Sequence, residues 1–115
     1  MPLDSIRLPS PRSYAELSRK GRRVRHACGE IELRILVPAP DGQHRMAVRL
    51  KRKNGDAPFR NRVRKQLREL LRATRTTMTP AWILWSFPSS RLTRRPRELK
   101  DDARTCLAQS GVLPS

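Results

Sequence analysis

The chain has 115 residues, room for one domain with one modest core. Its formal net charge is +16, from 26 Lys and Arg against 10 Asp and Glu; this calls for an anionic partner, nucleic acid ahead of an anionic membrane surface or an acidic protein. Two cysteines make no disulfide framework and fit a reduced, cytoplasmic compartment; no N-terminal apolar run resembles a signal peptide, and the longest apolar run, Ala81 to Trp85, is far too short to span a bilayer.

Arg outnumbers Lys by 21 to 5. The planar guanidinium pairs with phosphate and stacks on bases, which an ammonium does not. Apolar residues are only 37% of the chain but they are grouped, which argues for a fold rather than disorder. Residues 1–10 read as a loose basic arm, with Pro2 and Pro9 against a helix. Ser10 or Ser13 is expected to cap a short helix from Pro11 to Lys20, with Tyr14 and Leu17 facing inward. Gly21 is expected to end it in a left-handed conformation. Residues Arg23 to Cys28 are ambiguous, with a short strand as one reading. Glu30 to Val37 alternates, placing Ile31, Leu33, Ile35 and Val37 on one face. Residues 38–43 read as a turn. Arg45 to Leu50 forms another strand, with Met46, Val48 and Leu50 inward and Arg45, Arg49 and Lys51 outward. The short connection suggests that these two strands pair antiparallel.

The next stretch carries the densest basic cluster. Asp56 is a candidate N-cap, and Pro58 falls in the first turn, where a missing N–H costs little. Val63, Leu67, Leu70, Leu71 and Thr74 recur at helical spacing on one stripe. Asn61, Arg64, Lys65, Arg68, Arg72 and Arg75 fall on another face, with Arg60 and Arg62 beside it. Only Glu69 offers these cations a neighbouring carboxylate on the same helix. A helix from Ala57 to Arg75 is about 30 Å long, enough to follow several phosphates. After the break at Thr76 to Pro80, Ala81 to Phe87 reads as a buried strand. A polar loop leads to a last helix opened by Pro96, striped by Leu99, Ala103, Cys106 and Leu107, and ended by Gly111. The sum is one α+β domain, 1–115, a two-layer αβββαβα sandwich with a small, mostly antiparallel sheet and helices packed on it.

No nucleophile–base constellation is present. His26 lies two residues from Cys28, but no second ligand pair has zinc spacing, so no metal site is expected. The Asp101–Asp102 pair reads as ordinary negative charge near a helix start. Reacting groups, if there are any, come from a partner.

Residues Arg52, Lys53, Asn54, Gly55, Asp56 and Ala57, followed by Arg60, Asn61, Arg62, Val63, Arg64, Lys65, Arg68 and Glu69, resemble without a gap the signature of the bacterial ribonuclease P protein subunit. The likeness extends to Arg7, Leu8, Tyr14, Gly21, Arg45, Met46 and the strand from Ala81 to Phe87. Departures are Ala47 for a glycine, Asp56 for a cation, Pro58 for an aliphatic residue, and Ser18 and Arg34 at positions often aromatic in the family. They leave the Arg60–Asn61–Arg62 run intact and thin the aromatic part of the groove.

The resemblance implies a subunit of ribonuclease P, an endoribonuclease that matures the 5′ end of precursor tRNA. The catalytic groups, with Mg²⁺, lie in an RNA subunit and none in the protein. It implies a left-handed βαβ crossover, and contacts to the catalytic RNA from Lys51, Arg52, Lys53, Arg60, Asn61, Arg62, Arg64, Lys65 and Arg68. It implies a 5′ leader groove between the first helix and the sheet, with Tyr14, Arg34, Arg45 and Arg49 as its candidates. Partners are then ribonuclease P RNA and precursor tRNA, with no membrane and no DNA. Two readings stay open at several residues: Asn61 as contact or backbone brace, Tyr14 as stacking ring or core, and Arg34, Arg45 and Arg49 as groove floor or solvated cations. Trp82 and Trp85 read as core. The alternative function is a basic structural RNA-binding protein, ribosomal or assembly type, with no role in cleavage.

Overall fold

The computed structural model describes residues 10–113; the expected arm, with Arg7 and Leu8, lies outside them apart from Ser10. Among the described residues the elements are α1 (Pro11–Lys20), β1 (Arg22–Arg25), β2 (Glu32–Leu36), β3 (Arg45–Arg49), α2 (Ala57–Thr74), β4 (Trp82–Ser86) and α3 (Pro96–Gln109), with a 3-10 turn at Arg52–Asn54. The order is the expected one, and the ambiguous stretch after Gly21 is a strand.

The sheet runs β1-β2-β4-β3. β1 with β2 and β2 with β4 are antiparallel, whereas β3 with β4 is parallel. The expected pairing of β2 with β3 is therefore wrong: β4 lies between them. The physical reason is that Trp82 to Trp85 is buried on both faces, so this strand takes the centre, where neighbours cover both edges. The connection after β2 crosses its end, and Ala39 N–H donates to the Pro80 carbonyl at 2.8 Å.

Helices lie on both faces. Ile83 and Trp85 join Leu33, Ile35 and Met46 in the main core with α2 and α3, through Val63, Leu67, Leu70, Leu99, Ala103 and Leu107. Trp82 and Leu84 point the other way, toward Leu17 of α1, with Tyr14 at the edge. Both tryptophans are thus core residues, Trp85 at 1% and Trp82 at 5% exposure.

Local caps follow the sequence in most places. Ser10 caps α1, accepting from Ser13 N–H. Asp56 caps α2, its Oδ1 accepting from Phe59 N–H at 2.9 Å. Gly111, at φ +84°, ends α3 in the left-handed conformation. Gly21 does not: its backbone is extended, at φ −72°. A Cβ there would lie 2.4 Å from the Leu17 carbonyl oxygen and 3.0 Å from Arg34 Cγ, so close approach is what requires glycine. Gly55 is likewise extended, and a Cβ on it would lie 2.5 Å from the Phe59 ring.

Because β3 and β4 are parallel, their C-terminal ends share one end of the sheet with the start of β2. Three buried polar residues anchor the β4–α3 loop there. Asn54, 2% exposed, donates from Nδ2 to the carbonyls of Ser89 (2.8 Å) and Ser90 (3.0 Å) and accepts from Lys51 N–H at 2.7 Å. Glu30 accepts from the amides of Thr93 (2.8 Å) and Arg94 (3.1 Å) and from the Thr93 hydroxyl. Asp102, 4% exposed, takes both donors of a bidentate Arg94 at 2.9 and 2.8 Å. The expectation for Asp102 as ordinary helix-start charge is thereby corrected. Its place on the Leu99–Ala103–Cys106 stripe turns it inward, while Asp101 stays exposed.

Leu67 is fully buried at the centre of α2, so Leu67→Ala should destabilise the domain by about 2–5 kcal/mol, read by urea unfolding. For Glu30, burial raises the pKa, but the Thr93 hydroxyl, the Arg94 and Thr93 amides and the Arg94 charge outweigh it and hold it below the ordinary 4.5. The folded state binds that proton more weakly than the unfolded chain. The contribution is complete above the unfolded pKa and is lost as pH falls through the folded one. Glu30→Gln should therefore be less stable at neutral pH, and its stability should fall less steeply on acidification; an identical pH slope would contradict this.

Candidate nucleic-acid interface

The basic face of α2 is open. Asn61, Arg62, Lys65 and Arg72 are exposed, and Arg60, Arg64 and Arg68 are half-buried along their stems. Glu69, the carboxylate the sequence offered to Lys65, Arg72 or Arg62, pairs instead with Lys100 of α3 at 3.7 Å. Packing of α3 beside α2 draws it away from its own helix. Among the described residues, no ion pair neutralises Arg60, Arg62, Arg64, Lys65 or Arg68. Among the described residues Asn61 makes no hydrogen bond to backbone; its Oδ1 lies 3.5 Å from Arg64 Nη1, at the limit of a hydrogen bond. Arg60 Nε is buried with no hydrogen-bond partner among the described residues.

Lys51, Arg52 and Lys53 are exposed on the turn that enters α2. This turn is held from inside by Asn54, which lies within the family-like motif but was given no role by the sequence. Its signal was an Asn before the glycine of the turn; nothing local shows that its amide reaches residues 35 positions away. Lys51 to Arg68 thus forms one continuous cationic edge, running from the C-terminal end of β3 along α2.

The other candidates gather around α1 and the face of the sheet it covers. Tyr14 is half-buried, packed against the cluster of Leu17, Trp82 and Leu84. Arg34 Nη1 donates to the Ser18 carbonyl at 2.7 Å and so fastens β2 to the end of α1. Arg45 is paired with Asp41 and donates to Gln43 Oε1 at 3.2 Å. Burial raises the Asp41 pKa, but the Arg45 and Trp82 donors and the Gln43 amide hold it below the ordinary value; Trp82 Nε1 donates to it at 2.9 Å. Arg49 is exposed. Of the three arginines, then, two carry structural partners and Arg49 presents its head to solvent.

The fold also joins residues that sequence spacing kept apart. Ligand atoms of His26, Cys28 and Asp102 lie within 4.8 Å of one another. His26 Nδ1 accepts the Cys28 N–H at 3.0 Å, so in the neutral ring the proton sits on Nε2, facing Asp102 Oδ1 at 3.5 Å. Cys28 Sγ is 3.6 Å from Oδ2, and Arg94 occupies the carboxylate from the other side. Asp102 is surrounded by donors and joins the β1–β2 turn to α3 and the loop before it. Cys28 is exposed, whereas burial, with Asp102 and Cys28 adding, pushes the Cys106 thiol up to about 12.

No helix among the described residues is long and apolar enough to cross a membrane. The arrangement is a cationic helix edge on one side of the sheet, which suits phosphate contacts that position rather than specify.

Comparison with known proteins agrees with this geometry. No curated protein matches the sequence. Among solved structures, the Staphylococcus aureus RNase P protein superposes with a TM-score of 0.77 at 15% identity, covering 95% of this chain and 98% of that one. The RNase P protein from Thermotoga maritima gives 0.70 at 16%, covering 90% and 96%. At such identity the likeness shows the fold alone. The sequence model of the family Ribonuclease P matches residues 3–110, nearly the whole chain, and the protein therefore belongs to the ribonuclease P protein family.

Proposed function

We propose that the chain is the protein subunit of ribonuclease P, which binds a catalytic RNA and supports removal of the 5′ leader from precursor tRNA. The observation that carries this is the family match over residues 3–110 together with an Arg60–Asn61–Arg62 helix edge that no acid among the described residues neutralises. Lys51, Arg52, Lys53, Arg60, Asn61, Arg62, Arg64, Lys65 and Arg68 hold the phosphates of the RNA subunit. Tyr14 and Arg49, with Arg34 and Arg45 shaping the floor, receive the single-stranded leader. Such a site needs sequence tolerance, which cations and a ring face supply. Tyr14, as the one half-buried ring of α1, is the stacking candidate.

The protein supplies no catalytic group in this reading. Mg²⁺, held mainly by the RNA, would supply activation of the attacking water and stabilisation of the leaving oxygen. The chain's own contribution is charge neutralisation and alignment of the leader. Its place is the cytoplasm, with no membrane and no DNA partner.

Two measurements test this. Mixed with a bacterial ribonuclease P RNA at low Mg²⁺, the protein should stimulate cleavage of precursor tRNA to the mature 5′ end, with both components required. Tight RNA binding without stimulated cleavage would instead support a structural RNA-binding role. Arg62→Ala with Arg64→Ala should weaken RNA binding and lower the slope of log K against log salt by roughly 0.7–0.9 for each phosphate no longer neutralised. An unchanged slope would remove α2 from the interface.

A further inference from the structure

We infer that the β4–α3 connection and the first turn of α3 form a second RNA-binding arm, in which Arg91 and Arg95 of the connection and Arg97 of α3 grip phosphates of the same RNA subunit that α2 holds. The inference rests on the functional reading of α2 and extends it to residues outside the family-like motif. Three observations carry it.

The first is exposed, unbalanced charge. Arg91, Arg95 and Arg97 are all exposed, and no ion pair among the described residues involves them. Arg94, within the same stretch, is different: Asp102 and Glu98 neutralise it. Of the nearby acids, Asp102 and Glu98 are committed to Arg94, and Asp101, although exposed on the same helix, makes no ion pair with Arg91, Arg95 or Arg97 among the described residues; these three are left to an outside anion.

The second is pre-organisation. A connection that merely links two elements needs no buried acid. This one is held at four points: by Asn54 at the Ser89 and Ser90 carbonyls, by the Gly29 carbonyl at Ser89 Oγ, by Glu30 at Thr93 and Arg94, and by Asp102 at Arg94. Burying carboxylates is costly unless every oxygen is satisfied. Here they are satisfied largely by backbone amides and by Arg94. Fixing this backbone in advance lowers the entropy lost when its arginines bind.

The third is place. Asn54 belongs to the turn that enters α2, and at most about 11 Å of chain separates it from the first turn of that helix. Its amide reaches the Ser89 and Ser90 carbonyls directly. Lys100 of α3 reaches Glu69 of α2 at 3.7 Å. The loop is therefore fastened to the motif, at the sheet end where α2 and α3 both begin. α1 and Tyr14 pack on the opposite face of the sheet. This favours the catalytic RNA over the leader as the ligand, and the charge favours phosphate over a protein surface.

The test is a titration of the full chain with ribonuclease P RNA alone, at several monovalent salt concentrations. The variants are Arg91→Ala/Arg95→Ala/Arg97→Ala, Arg62→Ala/Arg64→Ala as reference, and Asn54→Ala. The triple variant should bind at least tenfold more weakly and lower the salt slope by roughly 2, at 0.7–0.9 per phosphate. Asn54→Ala leaves net charge unchanged and should still lower the slope while circular dichroism stays native; an unchanged slope in a folded Asn54→Ala protein would remove its positioning role. A triple variant with wild-type affinity and slope, beside a weakened α2 reference, overturns the inference alone. If neither charge variant changes binding, the reading of α2 falls with it. A defect seen only with precursor tRNA would assign the loop to substrate and also overturn the proposal.

Discussion

The central position of β4 is the constraint on which the rest of this molecule depends. The strand is bonded on both edges, to β2 and β3, and buried on both faces. Its alternate residues supply two cores: Ile83 and Trp85 for α2 and α3, Trp82 and Leu84 for α1. Its parallel pairing with β3 sends the chain through α2 and back, so α2 and α3 both follow strands that end at the same end of the sheet. That end collects the turn at Arg52–Asn54 and the arginine-rich loop. The concentration of cations in space follows from strand order more than from sequence proximity.

A chain of this charge must keep its own acids from neutralising its binding face. The structure does this by giving the carboxylates structural work elsewhere. Glu30 and Asp102 anchor the β4–α3 loop, Asp41 holds Arg45 and Trp82, and Glu32 pairs with Arg23 and Arg25 on the edge strand β1. Glu69 turns toward α3. Among the cations left without an ion pair in the described residues are those of the edge from Lys51 along α2 and Arg91, Arg95 and Arg97 around the start of α3. Repulsion among those cations is a standing cost to the folded state; an RNA backbone would relieve it with its phosphate charges, and would release condensed counterions as it did so.

The departures from the family pattern have local explanations. Asp56, in place of a cation, caps α2, and Pro58 occupies a first-turn position that needs no donor. Arg34, in place of an aromatic residue, fastens β2 to α1 through the Ser18 carbonyl, where its stem also closes over Gly21. At this position the chain thereby has a tethered cation in place of ring surface.

By itself the sequence determined what depends on neighbours along the chain. Helical and strand periodicity gave the order of elements; capping chemistry gave the start of α2 and the end of α3; the unbroken motif gave the family. Charge gave the class of partner. Tertiary structure alone decided what depends on long-range pairing. The placement of β4 between β2 and β3 rested on which strand most needed cover, and the hairpin suggested by a short connection gave way to it. Gly21 was legible as a helix end, but its reason, close approach to the Leu17 carbonyl and to Arg34 on another strand, was not. Nothing local showed what Asn54, Glu30 and Asp102 hold, because these partners lie 35 or 36, 63 or 64, and 8 or 74 residues away along the chain. A buried polar group is recognisable only by the partner that satisfies it, and the fold, not the local sequence, brings that partner within reach.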